Sequence, residues 1–160
     1  MAVRALRPDG PSQQKGKTMK TLYTANATAS KGGRGVGEGR TDDGKVAVKF
    51  STPKAMGGDD GPGTNPEQLF AVGYAACFLG AMGLAAKRSG KALPADATVD
   101  AQVSFADRED NVGFAIVPRL TAHVPGWDKA DVETLLKAAH DVCPYSNLIR
   151  FAHEVELVAG

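Results

Sequence analysis

The chain has 160 residues, enough for one well-buried core but not for two. Nineteen basic and eighteen acidic side chains leave a formal net charge of +1, so no global field recruits nucleic acid or an anionic membrane. With 42% hydrophobic and 23% charged residues the composition is that of an ordinary globular domain, and small neutral or apolar partners are favoured.

Residues 1–18, "MAVRALRPDGPSQQKGKT", hold four basic side chains, a single acid and no periodicity. They read as a flexible amino-terminal extension, followed by one domain over residues 19–160. No apolar run of the kind a secretory signal requires follows the basic residues. The expected location is therefore the cytoplasm, where a disulfide is transient and catalytic more often than permanent.

From Thr21 the pattern turns strand-like. "TLYTANATA" is rich in threonine and small residues, and "KVAVKFS" places Val46, Val48 and Phe50 on one face. The glycine-rich "KGGRGVGEGRTDDG" between them reads as a turn region, and "PKAMGGDDGPGT" as a second loop. A helix then has a defined start: Asn65 as cap, Pro66 at the first helical position and Glu67 in the first turn, where the helix dipole favours negative charge. Gly90 ends it after Lys87 and Arg88. Its body, Leu69 to Ala86, is apolar or small all round, which predicts burial on every side. That stretch is about long enough to cross a bilayer, but three glycines and six alanines suit close packing in a protein core better than a membrane anchor.

Beyond Pro94, "ATVDAQVSFAD" and "VGFAIVPRLTAHV" predict two strands joined by the turn "DREDN". "DKADVETLLKAAHDVC" predicts an amphipathic helix capped by Asp128, with Val132, Leu135, Leu136, Ala139 and Cys143 recurring on one face. "HEVELV" predicts a final strand. The order β-β-α-β-β-α-β lacks the regular alternation of a doubly wound sheet and argues for an α+β fold around a buried central helix.

The chain has two cysteines, Cys77 in the apolar helix and Cys143 directly before Pro144. A lone cysteine among apolar residues reads first as a small hydrophobe, but both thiols are predicted to face the core. A structural metal finds little support, because no CxxC or HxxxH spacing accompanies His123, His140 and His153. Neither GxGxxG nor GxxxxGK[ST] threads through the glycine stretch, which argues against nucleotide binding. A reactive thiol needs a cation, since burial alone raises its pKa. Cys77 lies eleven residues beyond Pro66, about 16 Å along the axis, too far to benefit from the helix dipole. Arg34, presented by a glycine turn, is the best candidate, with Glu67 as its counter-charge.

"GGRGVG", "GTNPEQLFAVGYAACFLGAM" and "HDVCPYSN", in this order, strongly resemble the organic hydroperoxide resistance (Ohr) proteins of the OsmC/Ohr superfamily, from about Met19 to the carboxyl end. The resemblance implies an OsmC-like fold forming an intertwined homodimer. It also implies a cofactor-free thiol peroxidase: Cys77 as the peroxidatic residue, Cys143 as the resolving residue, Arg34 as the activating cation and Glu67 as its orienting partner. The substrates implied are organic hydroperoxides, alkyl or fatty-acid, and the reductant a dithiol such as dihydrolipoamide on a lipoylated protein. Phe78, Leu79 and Met82 are expected to line an apolar substrate pocket. Pro144 is expected to loosen the turn that carries Cys143. Glu67 and Cys77, ten residues apart, stand about 15 Å apart on one straight helix. The Glu67 that holds Arg34 is therefore expected to belong to a different chain from the Cys77 that Arg34 activates. The alternatives are a peroxidase of the OsmC branch and a non-enzymatic thiol redox sensor.

Overall fold

The computed structural model describes residues 19–151 and 155–159, so the predicted extension over residues 1–18 lies outside the described residues. The elements in order are β1 (Ala27–Ser30), β2 (Glu38–Thr41), β3 (Ala47–Lys49), a 3-10 turn at Lys54–Met56, α1 (Pro66–Arg88), β4 (Thr98–Asp107), β5 (Phe114–His123), α2 (Lys129–Val142) and α3 (Pro144–Phe151). The class is α+β, as expected, with two antiparallel sheets and a long central helix.

α1 starts and stops as its sequence demands. The Asn65 side chain accepts from the Gln68 N–H at 2.8 Å, with Pro66 at the first position. At the other end Gly90 takes a left-handed φ of 74°, and the Gly90 and Lys91 amides close back onto the Lys87 and Ala86 carbonyls. Asp128 caps α2 through the Asp131 N–H at 2.8 Å. β4 and β5 form a ten-residue hairpin with Thr98 opposite His123 and Asp107 opposite Phe114. Alternation brings Val99, Ala101, Val103 and Phe105 to its half-buried face. The core lies where this hairpin and α2 close on α1: Tyr74, Phe78, Met82, Ala86, Leu135, Ala139 and Cys143 are all buried there.

Several expectations are corrected. The glycine-rich stretch is not turn throughout, because Glu38–Thr41 is the middle strand of the β1-β2-β3 sheet. Strand pairing uses backbone groups, and Gly39 suits its place because a Cβ there would stand 3.1 Å from the Phe50 ring. The first strand is shorter than predicted and covers only Ala27–Ser30. Pro144 does not begin a loose turn: it opens a further helix, α3, whose first position tolerates proline. The predicted final strand reduces to an isolated bridge at Leu157, with His153 and Glu154 outside the described residues. Finally, α1 is not buried on every side within one chain. Leu69, Val72 and Leu84 are exposed, and with Ala76 and Gly80 they make an apolar stripe along one face of the helix. α1 is long and apolar enough to cross a membrane by length and composition, but it packs here against β4, α2 and α3.

Candidate active site

The β1–β2 connection shapes the first part of the site. Lys31, Gly32 and Gly33 all adopt positive φ, at 56°, 93° and 61°, turning the chain sharply before Arg34. The turn is then closed by the Gly37 amide on the Gly33 carbonyl at 3.0 Å. A Cβ at Gly37 would stand 2.3 Å from the Ser30 carbonyl oxygen and 2.5 Å from the Gly33 nitrogen, both backbone atoms that cannot yield without opening the loop. Gly37→Ala is therefore expected to cost about 1–3 kcal/mol and to displace Arg34. A thermal melt alongside peroxide kinetics checks it, and wild-type values in both would refute this role of Gly37.

Arg34 reaches the amino-terminal turn of α1, where its two terminal nitrogens donate to both oxygens of Glu67 at 2.9 and 2.8 Å. This fork-on-fork geometry fixes the orientation of the guanidinium as well as its position. The carboxylate is buried while the guanidinium stays partly open, so the cation presents a free side. Burial alone would raise the Glu67 carboxyl. The Arg34 hydrogen bonds, its own first-turn amide and the Arg34 charge outweigh that, and hold it below the usual carboxylate range. A depressed folded-state pKa means that the pair's stabilisation is present above the unfolded value and is lost as pH falls through the folded one. Arg34 also lies over the Phe105 ring, 5.0 Å from its centroid, a contact that no motif in the sequence announces.

The two sulfurs form the second part. Cys77 projects from the middle of α1, and Cys143 sits at the corner where α2 stops and α3 begins, with extended backbone at φ −73° and ψ 123°. Extended geometry is what a residue before proline prefers. Cys143 is fully buried, both thiols are free, and the sulfurs are 3.5 Å apart. Burial pushes the Cys77 thiol above its ordinary pKa, a hydrogen bond from the Tyr145 backbone opposes this, and the neighbouring Cys143 adds to the rise. Arg34 does not figure among these influences.

The six residues thus fall into two groups within one chain: Arg34 with Glu67 and Phe105, and Cys77 with Cys143 and Tyr145. Of the expected pocket residues, Phe78 and Met82 are core, at 3% and 0% exposure, and Leu79 is half-buried. The open apolar cavity lies instead beside the charged pair. It measures about 430 Å³ and is lined by Pro53, Met56, Glu67, Ala71, Val103 and Phe105 among others.

Residues 57–158 match the family model described as OsmC-like protein. The chain belongs to the OsmC/Ohr family. The organic hydroperoxide resistance protein of Xanthomonas axonopodis pv. citri is 49% identical over 140 residues, covering 86% of this chain and 94% of that protein. The Bacillus subtilis protein OhrB is 40% identical over 136 residues, covering 85% and 96%. The crystal structure of an organic hydroperoxide resistance protein from Legionella pneumophila superposes with a TM-score of 0.75 at 41% identity, covering 82% of this chain and 92% of that one. The similarity to the Legionella structure thus takes in most of the chain.

Proposed function

We propose that this protein is a two-cysteine peroxidase that reduces organic hydroperoxides in a reducing, cytoplasmic setting. The observation that carries the reading is the 3.5 Å approach of Cys77 and Cys143, two free thiols 66 residues apart in sequence. Closing to a covalent S–S distance of about 2 Å asks for roughly 1.5 Å of movement. The similarity to organic hydroperoxide resistance proteins supports the same choice of substrate.

In the proposed cycle the Cys77 thiolate attacks the peroxide oxygen, the O–O bond breaks, and the alkoxide leaves with a proton as the alcohol. Cys77 becomes a sulfenic acid. The Cys143 thiol then condenses with it, forming the S–S bond and releasing water. A dithiol of the dihydrolipoamide class restores both thiols by exchange and is itself oxidised to its cyclic disulfide.

Cys77 meets no cation in its own chain among the described residues, and its pKa is raised there. A thiol in that condition is a poor nucleophile near neutral pH. We assign the missing charge to Arg34 of a second copy, so that each site takes Cys77 and Cys143 from one chain and Arg34 with Glu67 from the other. Two surfaces support a dimer. The apolar stripe Leu69, Val72, Leu84 is exposed, with no covering partner among the described residues. The β1-β2-β3 sheet buries no residue of its own strands, and a sheet needs an apolar surface to pack on.

The cavity beside Arg34 would hold the alkyl part of the substrate. Each buried methylene contributes about 0.8 kcal/mol, so a four-carbon hydroperoxide is expected to exceed hydrogen peroxide in kcat/KM by on the order of a hundredfold. Consumption of tert-butyl hydroperoxide with dihydrolipoamide tests the reading. Repeated turnover supports it, whereas a single oxidation event without regeneration would favour the redox sensor. Cys143→Ser is expected to reduce one equivalent of peroxide and then stop, leaving a sulfenic acid on Cys77 that dimedone traps and mass spectrometry detects. Undiminished cycling in that variant would remove Cys143 from the mechanism.

A further inference from the structure

Two contacts join α1 to the start of α3, and they lie side by side. Tyr74 Oη and Ser146 Oγ are 2.9 Å apart, and the Cys77 and Cys143 sulfurs 3.5 Å apart. Tyr74 stands three residues before Cys77, so the two share a face of α1 about 4.5 Å apart along its axis. Ser146 stands three residues beyond Cys143, in the first turn of α3. The hydroxyl pair and the sulfur pair are thus neighbouring rungs between the same two segments. Cys143 is held by its backbone to both flanking helices: its amide donates to the Ala139 carbonyl and its carbonyl accepts from the Asn147 amide, each at 2.9 Å. Its sulfur therefore moves with the first turn of α3.

The hydroxyl pair is buried, with Tyr74 4% and Ser146 0% exposed. Apolar groups of the same shape could fill such a place without loss of stability, so the bond calls for another explanation. The Tyr145 ring lies 5.8 Å from Phe70 and 5.7 Å from Tyr74, a contact that presses α3 onto α1 but tolerates a slide along it. A buried polar pair fixes register, because slipping it leaves two hydroxyls without partners away from water. At its far end α3 is tied to α2 by Arg150, which donates to the Asp141 carboxylate and the His140 carbonyl.

We propose that Tyr74 and Ser146 are positioning residues for disulfide closure, whose mutual hydrogen bond holds the first turn of α3 in the register that keeps the Cys143 sulfur facing the Cys77 sulfur. This deepens the proposed function and rests on Cys143 being the thiol that closes on Cys77. In that step the Cys143 sulfur forms the S–S bond while the S–O bond of the sulfenic acid breaks and the hydroxyl leaves with a proton as water. Attack must come in line with the departing group, so a sideways slip of α3 costs rate even where the sulfurs stay close.

Closure can be timed without peroxide. Dithiobis-nitrobenzoate reacts first with the more exposed Cys77, releasing one thionitrobenzoate; Cys143 then attacks the Cys77 sulfur of the mixed disulfide and expels a second. Cys143→Ser, which should release only the first, fixes the assignment of the two phases. Tyr74→Phe and Ser146→Ala are each expected to slow the second release relative to the first by on the order of tenfold, the scale on which misplacement of a reacting group is felt. The double variant should slow it no further than either single variant, because all three remove the same bond. It leaves no hydroxyl unpaired, so it keeps the test valid if a single variant folds poorly. A purely structural clasp would lower the melting temperature and leave the ratio of the two releases at the parent's value. That result, strictly additive effects, or a parent that never gives the second release would overturn the proposal. Peroxide turnover by the unaltered chain checks the enzymatic reading separately: clasp-dependent closure without turnover would sustain the positioning role and remove the peroxidase.

Discussion

Cys77→Ser is expected to abolish peroxide turnover, lowering kcat/KM by more than about 10³-fold, the scale on which loss of a nucleophile is felt. Serine is close in size, and Cys77 is half-buried, so the fold should survive. What disappears is the ionisable, polarisable sulfur, since a serine hydroxyl stays protonated near neutral pH and does not attack an O–O bond. Cys143 cannot substitute, because it is fully buried at the corner of α2 and α3. Stopped-flow peroxide consumption together with circular dichroism checks this prediction. A folded Cys77→Ser protein that still turns over tert-butyl hydroperoxide would end the assignment.

Arg34→Ala should slow the first half-reaction by about 10²–10³-fold, the usual cost of removing one preorganised group that stabilises developing negative charge. Arg34→Lys should recover little of this. A single ammonium cannot reproduce the two-nitrogen bond to Glu67 and still present a side to the sulfur. Glu67 stays ionised well into the acid range, so the pair should persist through mildly acid pH and fail only below the usual carboxylate range. The acid limb of the rate profile should accordingly report Cys77 and not Glu67.

Arg34 also permits a direct test of the two-chain site. Cys77→Ser and Arg34→Ala proteins, each inactive, are unfolded together and refolded. A heterodimer would contain one site with Cys77 from one chain and Arg34 from the other. Random pairing makes half of the dimers mixed and half of their sites complete, so about a quarter of wild-type activity should return. No recovery, in a mixture shown to contain heterodimers, would place Arg34 and Cys77 of the same chain in one site.

The helices with defined ends were legible because their signals are local. Asn65, Pro66 and Gly90 bracket α1 by satisfying or omitting particular backbone hydrogen bonds, and Asp128 does the same for α2. The β4–β5 hairpin was legible from alternation on either side of a polar turn. β2 was not, because a strand containing Gly39 is made by its neighbours' backbones and carries no propensity of its own. α3 was missed because Pro144 is compatible with both a turn and a helix start, and the choice depends on what the following residues pack against. The Tyr74–Ser146 bond joins residues 72 apart, a distance over which no local pattern operates.

The sequence by itself makes the parts of the proposed chemistry legible: two cysteines, one glycine-presented arginine and one helix-start glutamate, set in an apolar frame. Which of these groups meet was decided by tertiary structure. Within the chain, folding brings sulfur to sulfur and guanidinium to carboxylate, and the ten residues of α1 between Glu67 and Cys77, about 15 Å at 1.5 Å per residue, set the two pairs apart along it.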